Sequence, residues 1–179
     1  HSFPTRRSSD LEGSYVFRKE LDISTETYTI AYQRCCRNAT IVNSVEPLKY
    51  GATYTIKITE DALKDCNTSP EFKNWPPIFV CVGKKIVFDH SAFDIDGDSL
   101  VYRLCTPFTG GTYILDPKPI PPSPPPYDTI VWQSPYSNAN LLGGPDPLKV
   151  DLHTGMMTGT PSTLGQFVVG VRVEEYRNG

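Results

Sequence analysis

The stretch Phe88–Tyr102, "FDHSAFDIDGDSLVY", sets three aspartates at alternate positions, Asp94, Asp96 and Asp98, around a single glycine, Gly97. Apolar and aromatic residues flank it on both sides, so it reads as two strands joined by a sharp acidic turn. Glycine permits such a reversal at no steric cost, and aspartate side chains hydrogen-bond their own backbone within it. Three chemistries compete for the turn: a seat for a hard cation, an acidic catalytic centre, and a turn that caps itself.

Outward from the turn, the strand pattern continues along almost the whole chain. "SYVFRKEL" (14–21), "ETYTIAYQRC" (26–35), "ATYTIKIT" (52–59), "PIFVCVG" (77–83), "KIVFDH" (85–90), "SLVYRLC" (99–105), "DTIVWQ" (128–133), "LKVDL" (148–152) and "GQFVVGVRVEEY" (165–176) are short, β-branched or aromatic, and mostly alternating. "KYGAT", "DGDS", "TGGT", "HTGM" and "STLG" separate them as turns. The one helical turn expected is "TEDALKDC" (59–66), with Thr59 as its N-cap. So many short strands without alternating helices give an all-β fold of antiparallel immunoglobulin-like sandwiches rather than a βαβ fold.

A polar, proline-containing stretch, "DCNTSPEFKNWPP", marks a boundary near Cys66. Residues 67–179 then form one sandwich, close to the ~100 residues such a fold needs. Residues 12–66 bury too little by themselves and are expected to be part of a preceding sandwich. The opening "HSFPTRRSSDL" resembles translated adapter readthrough at the end of a gene fragment, so residues 1–11 are read as non-native and the lack of a signal-peptide core there carries no weight.

Composition narrows the function classes. A net charge of −3, with 39% hydrophobic and 21% charged residues, gives no basic footprint for nucleic acid. No apolar run approaches the ~20 residues of a membrane span. Five cysteines (Cys35, Cys36, Cys66, Cys81, Cys105) lack paired zinc spacing and point to an oxidising, extracellular compartment with one or two disulfides. If Cys35 and Cys36 lie in a strand, their side chains face opposite ways and they take different partners.

A long insertion, residues 107–147, carries seven prolines between Pro117 and Pro126. Such a stiff, donor-poor run is either a ligand for an aromatic groove or a strap laid across the sandwich, anchored by Tyr127 and Trp132. Trp75, Trp132, Tyr127 and Tyr136 flank it and offer rings for stacking on sugars, which makes a carbohydrate-binding module the alternative function.

Four features in order carry a family resemblance: the acidic turn Asp94–Asp98, Thr154-Gly155, Gly159-Thr160-Pro161, and a last strand after Gly165. Together they resemble the cadherin-like, dystroglycan-type immunoglobulin-like modules of bacterial surface proteins. "YQRCCRNATIVN" (32–43), "NTSPEF" and "EEYRNG" are more narrowly similar to large secreted proteins of Bacteroidota type, associated with gliding motility and type IX secretion. The resemblance implies a chain that continues beyond Gly179, with neighbouring immunoglobulin-like or PKD-like domains as partners and surface glycans or other surface proteins as adhesion ligands. It also implies a non-enzymatic role at the outer cell surface.

For the aspartates, that resemblance implies a calcium seat where the turn meets the linker from the preceding module. Asp94 and Asp96 are then the main ligands, Asp98 a ligand or a turn cap, Asn67 a linker oxygen, and Glu60 or Asp61 the completing carboxylate. Calcium wants six to eight oxygen ligands, which this set begins to supply. The spacing is not that of an EF-hand, which needs its glycine at the sixth position and a glutamate at the twelfth, where Ser99 and Cys105 stand. Self-capping Asx turns remain the equal alternative. A catalytic centre is disfavoured, because aspartates bunched in one turn all stay ionised and no nucleophile or metalloprotease motif accompanies them.

Overall fold

The structure is a computed structural model that describes residues 16–77, 79–112 and 115–177. The expectation about residues 1–11 lies outside the described residues. In chain order the elements are β1 (Tyr28–Arg34), β2 (Ala52–Ile58), α1 (Glu60–Lys64), β3 (Glu71–Phe72), β4 (Ile86–Asp89), β5 (Ala92–Phe93), β6 (Ser99–Cys105), β7 (Lys149–Val150), β8 (Met156–Gly159) and β9 (Gly170–Tyr176). Among the described residues the strands group into four small antiparallel sheets: β1-β2, β3-β5, β4-β8-β7 and β6-β9. The fold is therefore all-β, with one short α-helix that the Thr59 hydroxyl caps by accepting from the Ala62 N–H at 3.2 Å.

Three expected strands do not form as such. Residues 16–21 and the described part of 77–83 are unpaired, and Val16, Phe17 and Phe79 stand exposed. A strand forms only where a neighbour takes up its backbone hydrogen bonds along its length, and among the described residues of these segments only Gly83 reaches a distant one, donating to the Pro161 carbonyl at 2.8 Å. Residues 128–133 make only isolated bridges, Phe108↔Thr129 and Ser44↔Trp132. β4 and β6, on either side of the acidic turn, also lie in separate sheets, because each pairs with a later segment, β8 and β9 respectively.

The core gathers around Leu141, Leu142, Leu148 and Met157, with Ile86, Phe88, Leu104, Trp132, Phe167 and Val171 packed against it. Beside it, Tyr102 is 2% exposed and its hydroxyl accepts from the Ala92 N–H at 2.8 Å. Gly155, at φ +70°, turns the chain from β7 into β8 directly against Tyr102, where a Cβ would approach the ring to 3.0 Å. Asp151 holds that turn by accepting from the backbone N–H groups of His153 and Thr154 at 3.1 and 2.8 Å.

Hydrogen bonds run across the expected boundary at residues 66 and 67. Fully buried Asn43 donates to the carbonyls of Val168 and Leu141 at 2.9 and 3.3 Å and accepts from the Val168 N–H at 2.9 Å. The proline-rich run is likewise tied to β1. Ser123 donates its N–H to Gln33 Oε1 at 2.7 Å, and the Cys35 N–H donates to the Pro117 carbonyl at 2.9 Å. The anchors are thus Gln33 and a tilted Tyr127–Phe108 pair, whose rings lie 5.5 Å apart, while Trp132 belongs to the core.

Cys35 and Cys36 are bonded to each other, against the expectation of separate partners. β1 ends at Arg34, so the strand geometry that would send their side chains to opposite faces does not reach them. Cys66, Cys81 and Cys105 are free thiols.

Candidate metal centre

The acidic turn is built by its own first aspartate. Asp94 follows β5 and is 9% exposed; its Oδ1 accepts from the N–H groups of Asp96 and Asp98 at 2.9 and 3.1 Å. Gly97 adopts φ +81° between them, a conformation other residues reach only with strain. The self-capping turn is therefore real, but it uses only one oxygen of Asp94. Oδ2 is buried without any hydrogen-bond partner.

Asp98 enters from the start of β6, its side chain 5% exposed. The third carboxylate is Glu175 on β9, in register with Leu100. One oxygen from each of Asp94, Asp98 and Glu175 lies within 4.8 Å of the others. Glu175 Oε2 is also buried and unpartnered, while its Oε1 accepts from the Asn67 side-chain amide. Burial first, then the negative charges of Asp94 and Asp98, push the Glu175 carboxyl above its ordinary range; Asn67 and Arg177 act the other way.

Asn67 belongs to the linker after α1, where its N–H donates to the Ala62 carbonyl at 2.9 Å. The next residue fastens the linker to the turn, as the Thr68 N–H donates to Asp96 Oδ2 at 2.6 Å. Arg177 closes the group from the other side. Its Nε and Nη2 donate to Asp98 Oδ1 and Oδ2 at 2.9 and 3.1 Å, and Nη2 also donates to Asn67 Oδ1. Asp96 and Asp65 lie further from the guanidinium, at 3.7 and 3.9 Å. The bond to Asp98 is the main reason that the Arg177 pKa rises.

Of the four residues that the resemblance implies as ligands, Asp94, Asp98 and Asn67 lie in this group, whereas Asp96, expected as a main ligand, accepts from the linker backbone at Thr68. Glu60 and Asp61 do not complete the group, since Glu60 pairs with Lys64 at 2.7 Å along α1. Glu175 and Arg177 were not singled out in the sequence. A signal existed for Glu175: it shares strand parity with Val171 and Val173, so a carboxylate stands where the alternation calls for an apolar side chain. Nothing local marks Arg177.

All candidate ligands are oxygens, the donor set of hard cations rather than of zinc or copper. Two buried acceptors without partners cost roughly 1–3 kcal/mol each, which a bound cation would offset. The group therefore fits a metal ion in donor chemistry and in burial.

The four aromatic residues occupy four different settings. Trp132 packs on the core, and Tyr136 meets Phe167 edge-on with ring centres 5.8 Å apart. Tyr127 leans on Phe108, and Trp75 is 82% exposed. His90 lies apart from the carboxylates, stacked on Phe72 at 4.3 Å, and burial lowers its pKa.

No helix among the described residues is long and apolar enough to cross a membrane. Comparison with protein-family models, with curated proteins and with solved structures finds no match to this chain.

Proposed function

We propose that this chain is a non-enzymatic, extracellular β module of a larger bacterial surface protein, acting as a spacer or adhesion segment stiffened by calcium. One observation carries the reading: Asp94, Asp98 and Glu175 converge with two unpartnered buried oxygens at the point where the 65–68 linker meets the acidic turn and β9. A cation held there ties three separate segments together, which is the work of a junction rather than of a catalyst. Calcium suits the site because it accepts carboxylate and amide oxygens in flexible geometry, whereas magnesium demands a tighter octahedron. The cadherin-like resemblance of the turn and of the Thr154-Gly155 and Gly159-Thr160-Pro161 motifs supports the surface role, and the cysteine content supports an oxidising compartment. Glycan binding rests on Trp75 alone, since the other three rings are at least partly covered.

The test is a thermal melt of the full chain in calcium and in chelator. Calcium at 100 times its Kd should add about 2.7 kcal/mol if only the folded state binds it. Asp94→Asn should abolish the difference. Identical melts at millimolar calcium and in chelator would remove calcium from the proposal.

A further inference from the structure

Arg177 holds the very groups that a cation would need. Both oxygens of Asp98 accept from its guanidinium, and Asn67 Oδ1, the linker oxygen of the set, accepts from Nη2. The site also stays lopsided with Arg177 in place. Asp98 and Asn67 are satisfied, while Asp94 Oδ2 and Glu175 Oε2 remain buried and unpartnered. A single guanidinium fork reaches one carboxylate squarely and cannot turn to the other two.

We propose that Arg177 is the resident counter-cation of this seat and a built-in competitor for it, so that a divalent ion enters only as the guanidinium leaves Asp98 and Asn67. The inference rests on the cation reading above and adds a regulation of the same site. The exchange follows from charge and from lone pairs. A divalent ion seated among Asp94, Asp98 and Glu175 lies close enough to the guanidinium for strong like-charge repulsion, in surroundings that screen little. A route for leaving exists as well, because the Arg177 side chain is 31% exposed and has Asp96 and Asp65 at 3.7 and 3.9 Å as looser partners. In the absence of a cation, Arg177 fastens the linker to the acidic turn; in its presence, the ion does so.

The consequence is a site whose affinity is set low by its own side chain. Breaking a bidentate charge-assisted pair at each binding event should weaken calcium by about tenfold or more. Titration calorimetry of the full chain with calcium chloride measures this. Arg177→Gln should bind calcium about tenfold or more tightly than the wild type, and Arg177→Lys, whose single ammonium cannot span both Asp98 oxygens, should fall between them. Glu175→Gln should bind more weakly than either. In the wild type, the Arg177 Nε–H resonance should be protected in chelator and lose that protection on saturation with calcium.

Equal calcium affinity in wild type and Arg177→Gln, or weaker binding in the variant, would overturn the exchange and leave the cation seat standing. An Nε–H signal that stays protected at saturating calcium would overturn it too, even if Arg177→Gln proved too unstable to titrate. Calcium binding by none of the proteins would sink the cation seat and the exchange together.

Discussion

The pairs β1-β2 and β6-β9 are built alike: two seven-residue strands each, antiparallel, and in register along their full length. Their faces meet different fates. On β1-β2 the cross-strand pairs Ile30↔Ile56 and Tyr32↔Tyr54 stand exposed, the tyrosine rings 6.4 Å apart. On β6-β9 the comparable positions are taken inward. Tyr102 is buried, Leu104 and Val171 pack on the core, and the outer face carries Arg103 and Arg172 about Glu174 at 3.5 and 3.1 Å. Such exposed ion pairs add well under ~1 kcal/mol, so the difference between the two pairs lies in what covers them. Alternation decides which side chains share a face; it does not decide whether that face finds a lid.

The largest effect expected from this contrast comes from its two tyrosines. Tyr102→Ala should cost about 3–5 kcal/mol in a urea titration, because it empties a filled site and removes the acceptor for the Ala92 N–H. Tyr54→Ala, from a ring 66% exposed, should cost less than ~1 kcal/mol. A Tyr54→Ala cost as large as that of Tyr102→Ala would mean that the β1-β2 face is covered in solution.

A smaller loss is expected where the two regions are joined. Asn43 follows β1 and reaches Leu141 and Val168, the latter just ahead of β9. Asn43→Ala would leave these buried backbone groups without partners, at about 1–3 kcal/mol. An unchanged urea midpoint would show that the Asn43 bonds do not hold the β1-β2 region to the rest.

The smallest effect is a pH dependence through His90, which follows β4 and stacks on Phe72, away from the β1-β2 pair. Burial depresses its folded pKa below the ordinary value near ~6.5, with a hydrogen bond to Asn74 and then nearby Asp89 opposing. The unfolded chain therefore binds the proton more readily, so this contribution is full above the ordinary histidine range and is lost as pH falls through it. Melts of the wild type and His90→Gln between neutral and mildly acidic pH should converge on acidification. A gap that stays constant would refute the contribution. The comparison isolates His90 from Glu175, whose raised pKa acts with the opposite sign: its stabilising share is present at low pH and is lost as pH rises.

Much of the local structure is legible in the sequence. The strand at 99–105 and the cap at Thr59 appear where pattern and propensity placed them, because a strong β-branched run and a side chain-to-backbone bond are both settled within a few residues. The Asp94 turn is equally local, since its bonds reach only two and four residues along the chain. The unpaired segments at 16–21 and 79–82 show the limit. Both carry strand-forming residues such as Phe17 and Val80, but a ladder partner is a long-range fact. The candidate site divides in the same way. Asp94 and Asp98 are legible from one turn, whereas Glu175 and Arg177 arrive from nearly 80 residues away through the β6-β9 register.

By itself, then, the sequence determined an all-β chain, a capped helical turn and a sharp acidic turn with its aspartates at alternate positions. Tertiary structure alone decided which alternating segments became strands, that Asn43 binds one region to the other, and that Arg177 and Glu175 meet across the aspartates. The physical reason is range. Caps, turns and periodicity act over a few residues, while burial, register and the closure of a charged site depend on segments that only folding brings within ångströms of each other.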